Sequence, residues 1–208
     1  MSRFAQKGEA GLSVFQQVQM ADSKTELRKM ARARRKGLAF AGFAAALARH
    51  AGVLADALAV RPGMVVGGYM ALPEEADPAL ALAALAARGC IIAYPRVTGP
   101  GLPLTFHTVG GGEEMVRGAF GILEPPPHGP SVTPDLVLVP LLAFDGAGHR
   151  LGHGGGFYDR TLCARAALGP FLAVGIAYAG QQVDFLPHGA HDWPLDAVLT
   201  EQGLKVFP

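Results

Sequence analysis

The chain is short of charge, of sulfur and of serine. Only 17% of its 208 residues are Asp, Glu, Lys or Arg, and 18 basic residues nearly cancel 17 acidic ones, for a formal net charge of +1. No field of one sign covers the molecule, so nucleic acid and anionic membrane are not expected partners, and any anion site must be local. The two cysteines, Cys90 and Cys163, are too few for a disulfide framework and too far apart for a zinc spacing. They read as reduced thiols of a cytoplasmic protein. Serine occurs only at Ser2, Ser13, Ser23 and Ser131, none in a G-x-S-x-G elbow, which removes support for covalent serine chemistry. No stretch offers the roughly 20 apolar residues that a bilayer demands. Gly37 to Ala48 stops at Arg49, and Gly169-Pro170 and Gln181-Gln182 interrupt residues 166–183. Residues 1–20 lack the apolar core of a secretion signal.

Apolar residues are plentiful at 50%, alongside 28 glycines and 16 prolines. That composition excludes a disordered chain and suffices for one sizeable core. A flexible tail over residues 1–21 is expected to precede a single catalytic domain over 22–208. Asp22 or Ser23 caps an expected helix reaching about Lys36, and a second helix spans about Phe43 to Ala59. Asp77-Pro78 opens a third, closed by Gly89, and a fourth covers about Phe157 to Ala167. Short apolar runs at 64–70, 90–94, 135–139, 171–178, 197–200 and 204–207 read as strands, with an edge strand near 104–109 and a turn at Gly110 to Gly112. Alternation of such runs with helices implies an α/β fold: one three-layer domain with a mostly parallel central sheet and helices on both faces.

The strongest chemical signal is the segment from Asp145 to Arg160, which follows a buried run and precedes a helix. Its glycines at 146, 148, 152, 154, 155 and 156 let backbone N–H groups approach an anion, and the helix start adds its dipole. Arg150 offers a forked donor for phosphate and Asp159 a ligand for a divalent cation. The segment is neither a P-loop nor a G-x-G-x-x-G turn, since Phe157 stands at the third glycine position. A second signal is basic. Lys24, Arg28 and Arg32 recur every four residues on one helix face and form a possible phosphate clamp against the loop, although a solvated face has the same pattern. Glu75, after the 64–70 run, is a candidate to meet an N–H-rich ligand. His149 and His153 flank Gly152 and so do not form a helical zinc pair.

The segment Arg150-Leu151-Gly152-His153-Gly154-Gly155-Gly156-Phe157-Tyr158-Asp159-Arg160 resembles the signature of the 5-formyltetrahydrofolate cyclo-ligase (5,10-methenyltetrahydrofolate synthetase) family. So, in order, do Lys24 to Arg28, Tyr69 to Asp77, Phe120 to Pro125, and His191-Asp192 with Asp196 and Thr200-Glu201. The resemblance implies ATP- and Mg²⁺-dependent cyclisation of 5-formyltetrahydrofolate to 5,10-methenyltetrahydrofolate with release of ADP and phosphate. It implies that Lys24, Arg28 and the loop of Arg150, Leu151, Gly152, His153, Gly154, Gly155, Gly156, Phe157 and Tyr158 bind ATP, with Arg150 and Tyr158 catalytic. Met70 and Glu75 would contact the folate, and Asp159 and Asp192 would hold Mg²⁺. The partners implied are small molecules only, for a monomer or weak homo-oligomer. Two other readings stay open: a paralogue of this fold acting on another substrate, and a non-catalytic relative binding a nucleotide or RNA.

Overall fold

The computed structural model describes residues 14–110 and 114–208. Helix α1 (Val14–Lys36) is followed by α2 (Phe43–Ala57), β1 (Val65–Gly67), α3 (Ala79–Ala87), β2 (Ile91–Arg96) and β3 (Thr105–Thr108). Four two-residue strands are interspersed next: β4 (Val116–Arg117), β5 (Leu123–Glu124) and β6 (Ser131–Val132), then, after β7 (Leu136–Pro140), β8 (Ala143–Phe144). The chain continues through β9 (Arg150–Leu151), α4 (Phe157–Ala166), β10 (Leu172–Ile176), β11 (Ala197–Thr200) and β12 (Gly203–Val206). Of the tail expected over 1–21, residues 1–13 lie outside the described residues, and from Val14 the backbone is already helical. Asp22 and Ser23 therefore sit inside α1 rather than capping it. The stretch from Val14 to Lys36 contains no Gly or Pro and is rich in Gln, Glu, Lys, Arg, Met and Ala, so nothing stops the helix before Gly37. Most of the turn expected at Gly110 to Gly112 also lies outside the described residues.

The main sheet has the order β12-β11-β10-β7-β1-β2-β3-β6. Its five central strands, β11, β10, β7, β1 and β2, run parallel; β12 and β3 run against them at the two edges, and β6 pairs antiparallel with β3. Strand alternation sorts side chains into two cores. Val66, Leu136, Leu138, Val174, Ile176, Ala197 and Leu199 pack under α2 and α3. Val137, Val139, Ala173 and Val198 face the other way, against Leu162 of α4 and Phe207. Buried on both faces, the central strands are continuous apolar runs, which is why the sequence marks them clearly.

From β1 the chain winds to β2 on one side, whereas β7, β10 and β11 extend the sheet on the other. The winding direction thus reverses between β1 and β7. In open α/β sheets the crevice beyond the carboxyl ends of such a pair is where ligands bind. The segments leaving those ends are residues 68–78 after β1 and 141–156 after β7.

Candidate functional site: a cationic helix laid across two loops

Helix α1 lies across these loops, and one face of it engages three separate segments. Lys24 Nζ sits 2.5 Å from Asp192 Oδ2. One turn on, Arg28 Nε donates to the Gly152 carbonyl at 3.1 Å, and after another turn Arg32 donates to the His153 carbonyl at 3.2 Å. Arg35, its side chain only 4% exposed, donates to the Leu141 carbonyl and lies 3.8 Å from Glu75 Oε1. Leu27 and Ala31 pack beneath them on Leu142, Ala143, Leu151 and Leu186. The fourfold spacing expected to form one face does so, and it faces the loop.

The glycine-rich segment divides into two structures. Its first half is the tight turn of the β8–β9 hairpin, organised by the buried Asp145 carboxylate. Asp145 accepts from the N–H groups of Ala147, His149 and Leu186 and from His149 Nδ1. Gly148 closes this turn at φ +88°, where a Cβ would stand 2.8 Å from the Leu195 carbonyl oxygen. Burial pushes the Asp145 carboxyl up, but the hydrogen bonds outweigh it and hold it below the ordinary value. The second half, residues 152–156, lies outside that turn and leads into α4. There, the N–H groups of Gly154, Gly155 and Gly156 meet no backbone carbonyl among the described residues. Gly154, at φ +105°, packs under Arg28 so closely that a Cβ would lie 3.4 Å from the guanidinium carbon. Backbone donors and a cationic side chain thus share one small surface beside the start of α4, a suitable cradle for phosphate.

Arg150 is placed differently from a phosphate-facing side chain. Its side chain is 4% exposed, with one terminal nitrogen 2.6 Å from Asp159 Oδ1 and the other donating to the Trp193 carbonyl. It straps β9 to α4 and to the 191–195 segment. Sequence spacing cannot reveal such an inward turn. Asp159 does not cap α4, whose N-cap is Gly156 without a side-chain bond. Instead, Asp159 Oδ1 takes Arg150 and the Trp193 N–H. Asp192 Oδ2 takes Lys24 and the Gly189 N–H, and these bonds hold its carboxyl low against the upward push of burial.

Glu75 lies in the same crevice, its Oε2 accepting the Leu72 N–H and its Oε1 2.8 Å from His153 Nε2. Burial would raise its carboxyl, but those bonds and the charge of Arg35 hold it below the usual range. The contact spans 78 positions of sequence, and no spacing rule announces it. Tyr158 is pushed well up by burial and then by the Glu75 charge, with Arg150 opposing, so its phenol stays protonated. Met70 is half-buried just beyond β1, and Leu151 is buried under α1. Phe157 meets the exposed Phe120 ring edge-on at 5.6 Å, bringing the β4–β5 turn beside the cradle. His188, exposed on the 187–191 segment, stacks on His149 at 3.5 Å.

Among the described residues no three His, Cys, Asp or Glu side chains converge to hold a metal unaided. Asp159 and Asp192 nevertheless flank Trp193 and share the field of Arg150. Hard carboxylate oxygens in that number fit Mg²⁺, which takes one or two carboxylates and completes its shell with phosphate and water.

Sheet and switch point together define a doubly wound α/β protein with a cluster of backbone donors and a cation at its crevice. The chain belongs to the 5-formyltetrahydrofolate cyclo-ligase family, whose sequence model matches residues 20–201. It is 46% identical over 90 residues to the 5-formyltetrahydrofolate cyclo-ligase of Haemophilus influenzae, covering 41% of this chain and 48% of that protein. With the Escherichia coli K12 protein of the same name the identity is 39% over 113 residues, 52% of this chain and 60% of that one. These alignments therefore span about half the length of the curated relatives. The 5,10-methenyltetrahydrofolate synthetase of Aquifex aeolicus superposes with a TM-score of 0.71 at 30% identity, covering 88% of this chain and 92% of that one. A synthetase from Mycoplasma pneumoniae shares the fold, with a TM-score of 0.65 at 21% identity.

Proposed function

We propose that the chain catalyses the ATP- and Mg²⁺-dependent cyclisation of 5-formyltetrahydrofolate to 5,10-methenyltetrahydrofolate, releasing ADP and phosphate. The observation that carries this reading is the single crevice in which α1 cations and the Gly154–Gly156 N–H groups lie next to Glu75. An anion cradle and a carboxylate for an N–H-rich ring are thereby contiguous, the arrangement needed to bring a nucleotide phosphate to a pterin. The Aquifex aeolicus relative, named for the same product, covers nearly the whole chain and supports it.

The formyl oxygen of an amide is a poor leaving group. Transfer of the γ-phosphoryl group to it makes the carbon electrophilic, N10 attacks, and phosphate departs. Such chemistry rests on positioning and charge neutralisation rather than on a protein nucleophile, which suits a site without serine or reactive cysteine. Arg28 and the 154–156 amides hold the phosphates. Lys24 keeps Asp192 ionised and in place, and Arg150 holds the Asp159 carboxylate in position. Mg²⁺ held by those two carboxylates would neutralise charge on the transferring phosphoryl group. Glu75 accepts N–H bonds from the pterin, with Met70 alongside it. Tyr158, protonated throughout, donates a hydrogen bond in the crevice.

The test is a spectroscopic assay for the methenyl product with ATP and Mg²⁺ supplied together and each withheld. Product that forms only with both, with one ADP per turnover, is the expected result. No product from 5-formyltetrahydrofolate, but ATP turnover with another formylated compound, would select the paralogue reading. The RNA-binding reading finds little support, because Lys24, Arg28 and Arg35 face the protein's own loops.

A further inference from the structure

The crevice contains an acid–base relay that phosphoryl transfer does not use. Arg35, Glu75 and His153 come from α1, the loop after β1 and the cradle, and they meet in a line. Arg35 lies 3.8 Å from Glu75 Oε1, which lies 2.8 Å from His153 Nε2, and Arg35 Nε is buried without a partner. An ionised carboxylate only accepts hydrogen bonds, so the hydrogen between Glu75 and His153 belongs to Nε2. In the neutral ring the lone pair is then on Nδ1, which meets no partner among the described residues, on a side chain 34% exposed at the cradle.

We propose that His153 is the general base of ring closure, with Glu75 as its positioning residue. This rests on the cyclo-ligase reading above. Ring closure has one proton to remove, since N10 carries a hydrogen in the formyl substrate and none in the methenyl product. Attack of N10 on the phosphorylated formyl carbon forms the N10–carbon bond. The carbon–oxygen bond then breaks, phosphate leaves with its electron pair, and the N10 hydrogen passes to His153 Nδ1. The imidazolium so formed is stabilised by Glu75 on its far side, as a carboxylate supports the histidine of a catalytic triad. It returns the proton to solvent along its exposed edge. The charged and titratable groups around the ring are Arg28, Arg32 and Arg35 on α1, Glu75 and Tyr69 beside β1, and Tyr158 on α4.

The full-length chain carrying His153→Gln tests this, because glutamine can still donate to Glu75 but accepts no proton. The expected result is a fall in kcat of about 100-fold or more, the scale of general-base catalysis. Both KM values should stay within about threefold, as for a group acting only in the transition state. The wild-type acid limb of kcat should vanish, and added imidazole should partly restore His153→Ala. Nitrogen NMR of the wild-type protein should show the Nε2–H tautomer for His153. A kcat within about fivefold of wild type with the acid limb intact, or an Nδ1–H tautomer, overturns the assignment. If the wild-type protein makes no methenyl product at all, the cyclo-ligase reading fails and this one with it. An active wild type with an unaffected variant rejects only the base.

Discussion

Arg28 and Arg150 border the same glycines, yet their surroundings give them opposite work. Arg28 is anchored by one bond to the Gly152 carbonyl, leaving the rest of its guanidinium over Gly154 for an incoming anion. Arg150 is closed in by Asp159 and the Trp193 carbonyl. Replacing Arg28 by Ala should therefore change stability by less than about 1 kcal/mol and raise the ATP KM roughly tenfold or more, the loss of a charged hydrogen bond. Arg150→Ala strands Asp159 half-buried, and should lower the unfolding free energy by about 2–3 kcal/mol. It should also depress kcat through the displaced carboxylate, with Mg²⁺ dependence shifted more than ATP KM. Urea melts and initial rates on the two variants separate clamp from strap. The signature identified both arginines, but a residue's direction depends on what the rest of the fold places around it.

At the level of elements, the sequence showed the long ones and hid the short ones. Strands β7, β10 and β11 stand where apolar runs lie between glycines and prolines, because burial on both faces leaves no polar position to blur them. Strands β4, β5, β6, β8 and β9 are two residues each and carry no period. The β8–β9 hairpin was thus concealed within what read as one anion loop. Its order depends on Asp145, whose four bonds no asparagine can reproduce, since an amide nitrogen would face two donors. Asp145→Asn should cost about 2–3 kcal/mol at neutral pH. The Asp145 carboxyl is held below its ordinary 3.8, so its contribution is complete above that value and is lost as pH falls through the lower folded one. The stability gap between wild type and variant should stay constant above about pH 5 and narrow below about pH 4. A gap that persists at lower pH would show that the charge is irrelevant to the turn.

Across the whole molecule, the crevice is made of segments that the chain keeps far apart: α1, residues 68–78, residues 152–156 and residues 189–193. All four were legible as motifs, but their convergence follows from strand order, which no local pattern encodes. The consequence is thermodynamic. Helices α2 and α3 are fastened by the larger core, whereas the part of α1 whose side chains are described, residues 23–36, is held by its polar rungs and the small cluster under Leu27 and Ala31. Elements with few buried apolar contacts open first. A nucleotide that engages Arg28 and the cradle together bridges α1 to the sheet and should stabilise the folded state by about 2.7 kcal/mol at a hundredfold excess over Kd. For a chain of this size that is a rise in Tm of roughly 5–10 °C. Hydrogen exchange should locate the effect: amides of α1 from Lys24 to Arg35 gain protection with ATP and Mg²⁺, by more than those of β7 and β10. Equal gains everywhere would mean that α1 is already fixed without ligand and that the nucleotide binds a preformed crevice.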